Sequence, residues 1–345
     1  MVDRGHRTVP GTRWVTSLVA ALVFSMLIGT EALAQSEPVK VTTLLPVKNL
    51  VLAPIFVALD NGNFKKQNIE MDLSVVSGGV PANAALVAGQ AEFLGTAADE
   101  FLKTTGPTGK TLAVYTFTNA MTMSLQFRDQ FLKERNVTRD MPVKERVRRL
   151  KGATLGTITL GGSPDVYARW LYGYAGLDPR ADLQMLRIGG PAALFAALKA
   201  GQIDGFLMSP PTGQIVEAQG IGRMIVTYDE VPLFADNLYE MLLVRKDYPQ
   251  KNRAIVERTV KAIIESQQIL YENPERAAAL LYAGSFKDTE LPLLVKSLTQ
   301  MRPSFRPKRM NKERWDASVK LMREAGWEIP FEVKENVHWT AEFGG

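Results

Sequence analysis

The side chains best suited to hold a small molecule sit at short Gly, Ser, Thr and Asn corners between strand-like and helix-like segments. Gly161-Gly162-Ser163-Pro164-Asp165 is the clearest of these. Pro164 suits the first helical position, Ser163 the N-cap before it and Asp165 the first turn. The two glycines let the backbone come close to a ligand. Free N–H groups and the helix dipole there suit an anion or a polar head group. Ser163 therefore either caps its own helix or faces a ligand. Comparable corners are Lys48-Asn49-Leu50, Ser77-Gly78-Gly79, Gly95-Thr96-Ala97-Ala98, Thr118-Asn119, Gly189-Gly190 and Ser209-Pro210-Pro211. Lys48 is the only cation among them; it either pairs with a carboxylate or sulfonate or stands in solvent as a loop lysine. Thr96 and Asn119 are neutral donors that fix orientation or simply make turns. Asp99 and Asp165 read as helix-start acids rather than ligand contacts, and Tyr167 and Trp170 as core aromatics. The candidate ligand-binding set is Lys48, Asn49, Gly78, Thr96, Ala97, Asn119, Gly161, Gly162, Ser163 and Ser209. With no convergent arginine and one lysine, it favours a small organic anion over a bare oxyanion.

Catalytic chemistry is narrowed by what the chain lacks. It has no cysteine and two histidines, His6 and His338, in 345 residues. That excludes disulfides, thiolate metal sites and a cysteine nucleophile, and leaves little room for histidine-dependent catalysis. His338 has no His or Cys at ligand spacing and reads as part of a surface tail beside Glu335. No metal and no cofactor are expected. The 41 Lys and Arg against 36 Asp and Glu are interspersed rather than clustered, so no nucleic-acid partner is implied.

Arg4, Arg7 and Arg13 precede an apolar stretch from Trp14 to Ile28, and Ala32-Leu33-Ala34 follows as a small-x-small site. This pattern predicts a signal peptide over 1–34, cleaved near Ala34, rather than a transmembrane anchor, which needs ~20 apolar residues. The product expected is a soluble exported protein, periplasmic in a Gram-negative cell.

A duplication organises the rest. Ala84-Ala85-Leu86-Val87-Ala88-Gly89-Gln90-Ala91-Glu92 aligns with Ala196-Ala197-Leu198-Lys199-Ala200-Gly201-Gln202-Ile203-Asp204, each after a Gly-Gly pair and a proline. Both copies read as strand end, turn, helix opened by proline, left-handed glycine cap and short strand, at Ala91–Leu94 and Ile203–Leu207. Related α/β lobes follow. Strands are expected at Val39–Leu45, Met71–Val76, Leu112–Phe117, Ala153–Ile158, Leu183–Arg187 and Met224–Thr227, alternating with helices such as Pro54–Asn61, Pro164–Tyr174 and Pro191–Ala200. That alternation builds mostly parallel sheets flanked by helices. Thr122–Phe127 and Tyr239–Val244 are the expected crossings between lobes. They place lobe 1 at 35–122 plus 240–345, with helices at Asn252–Asn273, Pro274–Tyr282, Thr289–Gln300 and Asn311–Ala325, and lobe 2 at 123–239.

The sequence resembles the periplasmic substrate-binding proteins of ABC importers for nitrate, sulfonates, taurine and related molecules, a group that includes pyrimidine-precursor binders of the thiamine pathway. The resemblance lies in Ala53-Pro54-Ile55-Phe56-Val57-Ala58-Leu59-Asp60-Asn61-Gly62-Asn63-Phe64-Lys65-Lys66, in Ala85–Phe93, in Leu150-Lys151-Gly152-Ala153-Thr154-Leu155-Gly156, in Gly176-Leu177-Asp178-Pro179 and in Ala197–Asp204. Asn68-Ile69-Glu70 departs from the family's usual Gly-Leu-hydrophobic sequence at a surface turn. The resemblance implies the two-lobed type II periplasmic-binding-protein fold. It also implies a non-enzymatic, monomeric solute-binding component that delivers its ligand to an ABC transporter permease. The alternatives are a cofactor-free enzyme of the same fold and a ligand-sensing module docking on a receptor.

Overall fold

The computed structural model describes residues 1–3, 5–6 and 37–344. The expected signal peptide therefore lies almost wholly outside the described residues. Met1–Glu37 and Pro38–Gly345 separate into two units, and the account below concerns the second.

Ten strands form two five-stranded sheets: β1 Val39–Leu45, β2 Ile69–Val75, β3 Phe93–Ala97, β4 Thr111–Thr118, β5 Ser124–Arg128, β6 Ala153–Thr157, β7 Leu183–Arg187, β8 Gly205–Met208, β9 Gly222–Val226 and β10 Glu240–Arg245. The first sheet runs β2-β1-β3-β10-β4 and the second β7-β6-β8-β5-β9. In each, one strand is antiparallel to both neighbours, β10 in the first sheet and β5 in the second, and the first three are parallel. The chain leaves the first sheet after Thr118, enters the second at Ser124, and returns from Val226 to Glu240. The expected crossings Thr122–Phe127 and Tyr239–Val244 instead fall mostly within β5 and β10, each a strand inside one sheet, and the connections are the short segments before them.

The helices used below are α1 Ala53–Asp60, α2 Gly79–Val87, α3 Ala98–Thr104, α4 Ser163–Tyr174, α5 Pro191–Lys199 and α6 Tyr248–Glu272. The duplicated sequence builds the same corner twice, with α2 and α5. Gly89 and Gly201 sit at φ +78° and +68°, a backbone region where a Cβ is strained. Gly89 N–H donates to Leu86 and Gln90 N–H to Ala85; Gly201 N–H donates to Leu198 and Gln202 N–H to Ala197. The acid that ends each repeat also has a job. Glu92 Oε2 accepts the Thr42 N–H at 2.8 Å and Asp204 Oδ2 the Thr154 N–H at 2.9 Å, so each carboxylate holds the adjacent parallel strand. These contacts delay the strands to Phe93 and Gly205, two residues later than expected. Helix α2 starts at Gly79, two residues ahead of the proline expected to open it.

The core of the first sheet is filled by Phe93, Phe101, Phe117 and Trp315, all fully buried. Helix α6 lies across it, with Gln267 Nε2 donating to the Phe117 carbonyl at 3.0 Å and Asn63 Nδ2 to the Ala262 carbonyl at 3.3 Å. Later helices follow at Pro274–Ala283, Leu291–Met301 and Lys312–Glu324. The C-terminal segment is not a surface tail. His338 is buried, stacks on Phe331 with ring centroids 5.2 Å apart and accepts the Lys334 N–H at 3.0 Å through Nδ1. Ala113 N–H donates to the His338 carbonyl and Thr340 N–H to the Ala113 carbonyl, so the segment runs along the outer edge of β4. Among the described residues, no helix is long and apolar enough to cross a membrane.

Candidate functional site

Strands of both sheets end at a shared, narrow cavity of about 60 Å³. The parallel strands point their carboxyl ends at it, where open α/β sheets bind ligands. Pro46 and Val47 follow β1, Ala97 closes β3, Ile158 and Thr159 follow β6, and Met208 and Ser209 close β8. The two antiparallel strands present their starts instead: Met123 lies just before β5, and Tyr239 and Glu240 open β10.

Six of the sequence-predicted residues line this cavity: Asn49, Gly78, Ala97, Gly162, Ser163 and Ser209. Four are placed elsewhere by their own partners. Lys48 is turned so that Nζ lies 5.2 Å from the Phe286 ring centroid, on the side of Asp60. Thr96 is fully buried and accepts from Asn83 Nδ2 at 3.4 Å. Asn119 donates to the Arg306 carbonyl at 2.9 Å and accepts from Arg314 Nη2 at 2.7 Å, beside a different depression. Gly161, at φ +72°, donates its N–H to Asp165 Oδ2 at 2.7 Å and accepts Lys103 Nζ at 3.0 Å.

Ser163 is not the N-cap of its helix. Gly162 takes that position with φ −85° and ψ 173°, and Ser163 is the first helical residue. Its hydroxyl is thereby freed to donate to Asp99 Oδ1 at 2.9 Å. Asp165 accepts Gly161 N–H and Arg169 Nε and acts within its own helix. Asp99 both starts α3, accepting the Glu100 N–H at 2.7 Å, and reaches across to Ser163. Tyr167 is buried against Phe234 and Trp327, as a core aromatic.

Among the wall residues outside the predicted set, two are acids. Glu100 follows Asp99 on α3, and its carboxyl lies between the N-termini of α2 and α4. A methyl built on Gly79 would sit 1.3 Å from Glu100 Oε2, so only glycine leaves room for it. On the far side Oε1 lies 3.4 Å from the Ser163 N–H. Glu240 opens β10 and is 4% exposed; its Oε2 has no hydrogen-bond partner. A visible signal existed for Glu240: one charge in the apolar run Tyr239-Glu240-Met241-Leu242-Leu243-Val244.

Burial dominates the electrostatics. It lifts the Asp99 carboxyl to about 6, against hydrogen bonds from Ser163 and the Glu100 N–H. Burial, then the Asp99 charge, lifts Glu100 to about 7, opposed by Ser163 and Lys103. Glu240 is pushed well above the carboxylate range by burial and then by Glu100 and Asp99. Among the described residues, no group of three or more His, Cys, Asp or Glu is arranged to hold a metal ion.

Solved structures share this architecture, among them two with a named ligand class. One is the periplasmic aliphatic sulphonate binding protein SsuA of Escherichia coli, with TM-score 0.63 and 17% identity over 86% of this chain and 95% of that one. The other is the periplasmic nitrate-binding protein NrtA of Synechocystis PCC 6803, with TM-score 0.62 and 17% identity over 75% and 70%. At that identity the likeness establishes the fold, the two-lobed periplasmic-binding-protein architecture. In sequence, the binding protein YtlA of Bacillus subtilis is 20% identical over 293 residues, covering 84% of each chain. The profile of the NMT1-like family matches residues 35–282, well over half the chain. The chain is a member of the NMT1-like family.

Proposed function

We infer that this protein is the solute-binding component of an ABC importer. It captures a small organic solute between its lobes and presents it to a membrane permease. One observation carries the reading: both sheets converge on a single cavity whose wall alternates between them, so a bound molecule touches both lobes. Contacts already spanning the cleft are the Ser163 hydroxyl to Asp99, Lys103 Nζ to the Gly161 carbonyl, and Leu50 N–H to the Pro210 carbonyl at 3.0 Å. Opening about the two crossings, Asn119–Met123 and Thr227–Tyr239, admits the solute, and closure around it is the motion two-lobed binding folds use. Relatives named as binding nitrate, sulphonates and taurine support an importer role and a periplasmic location. The wall has no histidine or cysteine, and the Ser163 hydroxyl that meets Asp99 is engaged in bridging the cleft, which supports binding without turnover.

The test is to recover what the protein carries. Full-length protein expressed in its host, purified without dialysis and denatured, should release a small molecule at near-equimolar yield. Ser209→Trp, which fills the cavity from the second lobe, should release none. A solute chemically converted on incubation with the protein would refute the reading in favour of an enzyme.

A further inference from the structure

The cavity wall is rich in carboxyl groups. Asp99, Glu100 and Glu240 reach it or stand directly behind it, and the one cation close to them is Lys103, which is engaged with the Gly161 carbonyl and the Trp327 ring. Lys48, the residue that suggested an anionic ligand, faces Phe286. The N-termini of α2 and α4, where an oxyanion would find N–H donors, are already filled by the Glu100 carboxyl. Glu240 Oε2 is buried at the wall with no hydrogen-bond partner. A carboxyl oxygen so placed costs free energy unless an incoming group pairs with it. Val47, Val51, Met123, Ile158 and Met208 give the wall an apolar part, beside the neutral polar side chains of Asn49, Thr159, Ser163 and Ser209.

Given the solute-binding reading above, we propose that the solute carries a protonated nitrogen group, an amine or amidine, on an apolar body. Its N–H donors meet Glu240 and Glu100, and its body fills the Met- and Val-lined part of the cavity. A purely anionic solute finds no free counter-charge at this wall.

The charge state of the carboxyls follows from the groups around them. Glu100 faces Asp99 and Lys103 on its own helix, the Gly79 backbone on α2, the Ser163 N–H and the Tyr167 side of α4, and Tyr239 and Glu240 on β10. Burial leaves Glu100 and Asp99 titrating near neutrality in the empty cavity. Binding of a cation ionises them and releases protons, so affinity rises with pH. For one carboxyl with a midpoint near 7 that must be ionised, affinity falls about 25-fold from pH 7.5 to 5.5.

The experiment is calorimetric titration of the full chain with body-matched probes: butylamine against butanesulfonate, and benzamidine against benzenesulfonate, at pH 5.5 and 7.5. The expected result is binding of the nitrogen bases, tighter at pH 7.5, with release of protons, and at least tenfold weaker binding in Glu240→Gln. The isosteric change keeps the fold, which the thermal midpoint verifies, and the pH dependence of the parent protein is a second readout that needs no variant. Binding of the sulfonates, tighter at pH 5.5, would overturn the amine assignment and leave solute capture standing. Silence of all four probes also overturns it if the protein nevertheless releases a native solute without a basic nitrogen. Silence with no released solute removes both readings.

Discussion

Replacing Glu100 by Gln removes an ionisation that the fold opposes. The carboxyl is buried, its ordinary value is 4.5, and burial with the neighbouring Asp99 carries it to about 7. The folded state therefore holds the proton more tightly than the unfolded chain. The resulting stabilisation is fully present below pH 4.5 and is lost as pH rises through about 7. At ~1.36 kcal/mol per tenfold difference in proton affinity, the loss is ~3 kcal/mol. Gln keeps the volume between Gly79 and Ser163 and does not ionise. Parent and E100Q should then melt together at pH 4.5, while at pH 8 the variant should be more stable by ~2–3 kcal/mol, roughly 5 °C for a chain of this size. Circular-dichroism melts of ligand-free protein across that range measure the difference, which cancels the carboxylates that titrate in the opposite sense, such as Glu230 beside Arg146. A variant less stable than the parent at pH 8 would refute the reasoning. It would mean that the N–H groups of α2 and α4 stabilise the ionised Glu100 by more than burial costs it.

Gly79→Ala places a methyl where Glu100 Oε2 lies; it should destabilise by ~1–3 kcal/mol in denaturant titrations, and most of that cost should vanish in an E100A background. Lys48→Ala should leave solute affinity within twofold by calorimetry, because the lysine stacks on Phe286, and should cost under ~1 kcal/mol of stability. Arg146→Met strips the buried partner from Glu230, 2.6 Å away, and from the Ile225 carbonyl; urea midpoints should show a loss of ~2–4 kcal/mol.

Much of the scaffold was legible in the sequence because it is written twice. Ala85-Leu86 and Ala197-Leu198, with Gly89 and Gly201 behind them, encode a helix packed on a sheet and closed by the same pair of bonds. The β1 and β7 boundaries follow from apolar runs. The cavity was legible to the extent that strand ends face it, which is why Asn49, Gly162, Ser163 and Ser209 fall on its wall. What the sequence could not convey is direction. A corner fixes where a Cα goes, whereas Lys48 and Asn119 were claimed by Phe286, Arg306 and Arg314, residues far along the chain. Ser163 differed by one position: with Gly162 extended as N-cap, its hydroxyl was free to cross to Asp99. Glu100 and Glu240 were hidden because adjacent acids at a helix start and a charge at a strand start both have ordinary explanations.

The strand order of the first sheet also constrains how the protein is made. β4 is paired on one side by β10 and touched on the other by the segment around Trp339. A ribosome delivers Thr111–Thr118 well before either. For more than 120 residues of synthesis this run, whose eight residues are all buried in the finished molecule, has no neighbour to pair with. The second sheet, continuous from Ser124 to Val226, can close in that interval. The first lobe is thus begun first and completed last, and its β4 edge stays open until β10 is available to pair with it.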